Sequence, residues 1–197
     1  MSDDKEYVSL YRLFMRPGGY IHEQHWHLSG LANWREDYLA HPALRPEIDR
    51  QLRTRLGWSW PGQGSLTSLQ RQWVRWLPKL PMIVIALGLL ELNCSDYFML
   101  GHYRRPLIGL LGEVTFNQIF ALWQGGDDEP AVEPDRLSDV AYKTGTQLFS
   151  LLTKDDWVGR LIMPVLPCVD THAGDVSPEQ ADLDKLQSKI GRIARFI

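Results

Sequence analysis

Apolar residues recur at every third or fourth position along most of this chain, the spacing of helices that bury one face. The densest stretch runs from Leu80 to Trp123. Its longest apolar run is Met82–Leu90, and a helix apolar nearly all round over Met82–Leu92 must be wrapped by other helices. Pro81 suits the first turn of that helix and Asn93 its end, and Ser95 can cap a short helix that follows. Leu107, Leu110 and Leu111 form one further stripe; Val114, Ile119, Phe120 and Trp123 form another before Gly125-Gly126. The run is shorter than the roughly 18 apolar residues of a membrane span and contains Glu91, so a soluble core helix is expected. Glu91 needs a partner there, and Arg104 and Arg105 are the nearest candidates in sequence.

Val8–Met15 fits a short strand or the entry to a helix, broken by Arg16-Pro17-Gly18-Gly19. Tyr20–Ala40 has helical spacing through Ile21, Trp26, Leu28, Leu31, Trp34, Tyr38 and Leu39, with a weak point at Gly30 and a stop at His41-Pro42. Pro46 opens the next helix and Gly57 closes it; Ile48, Leu52 and Leu56 mark its buried face. Trp58–Gly64 reads as a loop, and Ser65 or Thr67 starts a helix over Leu66–Leu77. Pro78 and Pro81 bracket a kink. A mobile loop is expected at 125–134, a helix from Asp135 to about Thr153, and a short helix over Asp155–Ile162. Met163–Pro178, rich in Pro and Gly, reads as a linker. Ser177–Gln180 is a capping box with Pro at the first helical position. Leu183, Leu186, Ile190, Ile193 and Ile197 then repeat as a coiled-coil seam. This tail helix either packs back on the body or is held out for a partner; packing back is favoured, because a lone helix of its length is marginal in water.

The pattern therefore predicts an all-α protein of eight or nine helices of roughly a dozen residues each. One irregular multi-helix domain is expected over 1–167, with a linker over 168–177 and a C-terminal amphipathic helix over 178–197.

Composition adds three points. The 197 residues carry 44% hydrophobic and 23% charged residues, ordinary for a globular protein. A net charge of −3 gives no global attraction to nucleic acid. Arginines cluster from Leu44 to Lys79, however, and Arg45, Arg50 and Arg53 form a candidate docking face. The eight Trp are many; most belong in a core, but Trp26 and Trp34 are candidates for a partner surface. In the tail helix, Leu186, Ile190 and Ile193 are a third candidate surface. The opening MSDDKE does not look like a signal peptide, and Cys94 and Cys168 are expected as free thiols.

Chemistry is thinly signalled. His22, His25 and His27 have metal-like spacing, but His27 falls on another helical face and no fourth ligand is evident. Cys94 reads as a small buried hydrophobe. No phosphate-binding glycine pattern occurs. Expected, then, are no catalytic residues, no cofactor and no metal. A small metal- or thiol-dependent enzyme and a nucleic-acid-binding helical module, with arginines set among Trp58, Trp60, Trp73 and Trp76, are the alternatives.

Three segments resemble a known family. In YRLFMRPGGYIHEQHW the carrying positions are Tyr11, Leu13, Phe14, Pro17, Tyr20 and His22. In the core they are Leu87-Gly88-Leu89 and Thr115–Ile119, and later the segment TGTQLFSLLTKDDWVGRLIMPVLP. In order and spacing, from Tyr11 to Pro167, these are similar to the SctK/YscK family of type III secretion proteins. That resemblance implies a non-enzymatic, all-α cytoplasmic adaptor of the injectisome sorting platform, a protein-transport machine tied to virulence. It would sit peripheral to the inner membrane without inserting, and would bind no nucleic acid. Its implied partners are the cytosolic domain of an SctD-like inner-membrane ring protein and an SctQ-like pod protein.

Overall fold

A computed structural model describes residues 3–61, 64–126, 132–169 and 180–197. In chain order the helices are α1 (Asp3–Met15), α2 (Glu23–Leu28), α3 (Trp34–Ala40), α4 (Arg45–Arg55), α5 (Ser68–Trp76), α6 (Leu80–Leu92), α7 (Asp96–Met99), α8 (Gly101–Leu111), α9 (Glu113–Leu122), α10 (Leu137–Thr153), α11 (Trp157–Ile162) and α12 (Gln180–Ile193). Short 3-10 turns lie at Pro17–Gly19, Pro42–Leu44, Leu77–Lys79 and Met163–Val165. The described residues contain no strand, so the fold is all-α. The chain divides into two compact units: Met1–Pro78 with Thr153–Cys168, and Lys79–Leu152 with Val169–Ile197.

In the first unit, α1 packs on α4, α5 and α11. Leu10 and Leu13 are fully buried, and Val8–Met15 is helix, not strand. The predicted helix over Tyr20–Ala40 is two helices: Gly30, at φ 68°, turns the chain between α2 and α3. Thr67 and Gln70 form a reciprocal capping box at the start of α5. Asp156 caps α11, accepting from Val158 N at 2.7 Å, and Gln70 Nε2 donates to the same carboxylate at 2.8 Å. In the Trp58–Trp60 loop both Trp are half-buried and Ser59 is exposed. Trp60 lies edge-on to Tyr7 and Tyr11 of α1, each at 5.3 Å between ring centroids, and to Trp157 of α11 at 5.7 Å. Residues 163–168, expected as linker, belong to this unit's core, with Leu166 fully buried. Residues 170–177 of the expected linker lie outside the described residues, as do 127–131 of the expected mobile loop and 177–179 of the capping box.

In the second unit, α6 is the centre, buried from Ile83 through Leu90. Asn93 ends it in the left-handed conformation, φ 50°. Ser68–Leu92 contains an 18-residue window apolar enough to cross a membrane by length and composition, but 67% of that window is buried within the folded chain. Helix α6 packs on α9 and α12. Its contact with α10 is closer still, and rests on Gly88 and Gly145. Leu107, Leu111, Phe116 and Ile119 are buried, whereas Leu110 and Val114 face solvent, against the stripes read from sequence. Glu91 pairs with Lys189 Nζ of α12 at 2.9 Å, in place of the Arg104 or Arg105 expected.

Candidate partner interface

Helices α2, α3 and α4 enclose a small core of Ile21, Trp26, Leu31, Tyr38, Ile48 and Leu52. Trp26 is 1% exposed and lies edge-on to Tyr38 at 5.4 Å, so it is a core residue with no surface to offer. Trp34, at the start of α3, is 48% exposed and is the one exposed Trp of the eight. Leu28, Leu39 and Leu44, from the same part of the chain, are exposed too.

The arginines of α4 do something the sequence did not disclose. The last carbonyls of a helix have no partner inside it and carry the negative end of its dipole, so a guanidinium placed there satisfies both. Arg53 Nη1 donates to Met15 O, the end of α1, at 2.8 Å, and its guanidinium covers the Phe14 ring. Arg55 Nη1 donates to Ser29 O, just past α2, at 3.1 Å. Arg45 Nε and Nη2 donate to Tyr38 O and Leu39 O in the last turn of α3, at 2.8 and 3.0 Å. One helix thus caps three others. Of the predicted face, only Arg50 points away, held by Glu47 at 2.6 Å and 2.9 Å. The bonds from Arg50, then Gln51, hold the Glu47 carboxyl down to about 2.

Asp49, also on α4, is 2% exposed. It accepts from Gly18 N at 3.0 Å and from Tyr38 OH at 3.3 Å. Burial raises its pKa despite those bonds, and burial with the nearby carboxylate pushes Tyr38 up to about 12. This buried carboxylate ties the Pro17–Gly19 turn to α3 and α4; a lone Asp within an apolar-faced helix was the available sign.

The histidines do not converge. His22 is the N-cap of α2, its Nδ1 accepting from Gln24 N at 3.4 Å, and His27 is exposed. His25 Nε2 donates to Leu166 O at 2.9 Å. Gln24 Oε1 accepts from Cys168 N at 2.8 Å, and Pro164 O from His22 N at 2.8 Å. The N-terminus of α2 therefore pins residues 164–168. Burial lowers the pKa of both His22 and His25; this favours the neutral ring that the His22 bond needs, while the bond to Leu166 O acts in the opposite direction on His25. Cys168 Sγ lies 3.6 Å from both ring nitrogens of His25. Equal distances place the sulfur off the line of the Nδ1 lone pair, a poor arrangement for proton transfer. Among the described residues no three His, Cys, Asp or Glu side chains gather to hold a metal ion.

In α12, Ile190 and Ile193 are fully buried and Leu186 is half-buried. The helix packs on α6. The seam read as a possible partner surface is occupied within its own unit.

The geometry thus defines an all-helical protein whose described polar clusters join helix to helix, with a limited set of exposed apolar and basic side chains left over. Residues 8–168 match the type III secretion system subunit family, and the chain belongs to it. No curated protein and no solved structure matches the chain.

Proposed function

We propose that this type III secretion subunit is a non-enzymatic cytoplasmic adaptor of the sorting platform, as the SctK/YscK resemblance implies. It bridges the cytosolic domain of an SctD-like inner-membrane ring protein and an SctQ-like pod protein. It is held at the inner membrane by the apparatus, without inserting and without binding nucleic acid. The observation that carries this reading is the family match over residues 8–168. An exposed Trp34, with exposed Leu28, Leu39 and Leu44 in the same part of the chain, supports it, because aromatic anchors dominate protein interfaces. Trp34, with Arg50, is the surface of the first unit to which we assign one partner.

Co-elution on size exclusion with the ring-protein domain, then with the pod protein, tests the bridge. A complex with both is expected, with Trp34→Ala weakening one of them at unchanged helix content. Binding to neither by a folded sample overturns the adaptor reading.

A further inference from the structure

We infer that the second unit carries a docking cleft for an acidic peptide segment of a partner protein, gripped between α12 and the turn that follows α9. The inference concerns a surface other than Trp34 and Arg50 and stands without the adaptor reading.

The cleft has a volume of about 630 Å³. One wall is α12, whose Lys185, Lys189 and Arg192 project into it, spaced so that they share one helix face. The carboxylate lining it is Glu91, already paired with Lys189. Lys185 also reaches Asp182 at 3.8 Å across one turn, an exposed and therefore weak pair. Three cations against one lining anion leave the cleft positive in a chain whose net charge is −3.

The opposite wall is fixed in place. Trp123 Nε1 donates to Asn93 Oδ1 at 3.1 Å, and its ring stacks on Phe120 at 6.1 Å between centroids. Gly126 lies so close to Asn93 that an added Cβ would be 1.9 Å from the Asn93 carbonyl oxygen. The Trp123 turn is thus clamped to the end of α6. A rigid, half-exposed indole facing a row of cations offers an apolar contact and several carboxylate contacts along one short groove. An extended segment with acidic and apolar residues in alternation meets both. A flat anionic lipid surface cannot enter a cleft to reach its cations and Trp123 together.

The test is fluorescence anisotropy of the full chain with a short fluorescein-labelled peptide alternating Glu and Leu. A Lys/Leu peptide is the charge control, and phosphatidylserine–phosphatidylcholine vesicles form a separate arm. Saturable binding of the Glu/Leu peptide is expected, weakening as salt is raised. Lys185→Glu with Arg192→Glu should weaken it by about tenfold or more. Arg105→Glu, an exposed charge reversal on α8 away from the cleft, should change it less than about twofold. Both variants are surface changes, and circular dichroism checks that each is folded. Equal loss in the Arg105 variant overturns the proposal in favour of unspecific charge attraction. Vesicle binding lost in the α12 variant, with no peptide binding, overturns it in favour of a membrane surface.

Discussion

Arg53 Nη1 donates to the carbonyl oxygen of Met15, 38 positions earlier in the chain, and so closes the C-terminal end of α1 with a side chain from α4. A charge-assisted bond to an orphan helix carbonyl contributes to folding, not merely to surface charge. Arg53→Ala is expected to cost about 1 kcal/mol in urea unfolding followed by far-UV circular dichroism. Arg50→Ala, which breaks only the exposed pair with Glu47, is expected to leave the midpoint where it is. Equal midpoints for the two variants would show that the Met15 cap contributes nothing.

The crossing of α6 and α10 makes a sharper case. A Cβ on Gly88 would lie 1.8 Å from the Ala141 carbonyl oxygen, and one on Gly145 would lie 1.7 Å from that of Val84. Both obstacles are helix backbone, so the helices themselves must part. Ala is otherwise the better helix former by about 1 kcal/mol, which makes the sign of the effect diagnostic. Gly88→Ala or Gly145→Ala should destabilise by about 1–3 kcal/mol or more. Gly109→Ala, in α8 with no atom near its added Cβ, should stabilise by up to about 1 kcal/mol. Thermal melts of the three variants decide the matter.

Asp49 should leave a pH signature. Burial raises its pKa in the folded state above the ordinary 3.8. Its contribution to stability is therefore fully present below pH 3.8 and is lost as pH rises through the higher folded value. Asn can still accept from Gly18 N but does not ionise. The stability of Asp49→Asn relative to the parent is expected to improve as pH rises from below 3.8 through that window, whatever Glu6 and Glu47 do in both proteins. Unfolding midpoints of the pair at matched pH measure the difference, and a constant difference would mean that Asp49 keeps an unshifted pKa.

The cap of α11 joins two segments far apart in the chain, since Asp156 accepts both from the start of its own helix and from Gln70. Asp156→Ala is expected to cost about 1–2 kcal/mol by urea unfolding. Asp156→Asn, which keeps one acceptor oxygen, should recover part of that loss.

Helices were legible in the sequence where the apolar period was unbroken, as in α4 and α10, because burial of one face is a local pattern, and in α6 because its continuous apolar run demands burial all round. Gly30 shows the limit of that signal: the period runs through it, but its positive φ breaks the helix. The candidate interface was less legible for a related reason. Whether an arginine faces solvent or caps another helix depends on carbonyls that fold back from elsewhere. For Arg45 those lie six and seven residues away, for Arg55 they lie 26 away, and for Arg53 38 away. Trp60 sits in a Pro- and Gly-rich loop, yet its ring neighbours come from α1 and α11. Composition identified the loop and said nothing of the rings that Trp60 packs against. Glu91 found Lys189 for the same reason, across 98 positions that no local pattern connects.

The seam of α12 separates the two roles first open to it. A surface kept for a partner should tolerate truncation of its apolar residues while folding alone, and should lose only binding. Ile190 and Ile193 are instead fully buried in the second unit, and Lys189 reaches Glu91 from the turn before them. Ile190→Ala then removes buried methyl and methylene groups and leaves a cavity, at an expected cost of about 2–4 kcal/mol. Leu186→Ala, half-buried, should cost less than about 2 kcal/mol. Hydrogen exchange in the Ile190 variant should show lost protection in α12 first, since a short helix without its packing face is marginal. An Ile190→Ala protein with the parent's stability and exchange pattern would put the seam back among the surfaces available to a partner.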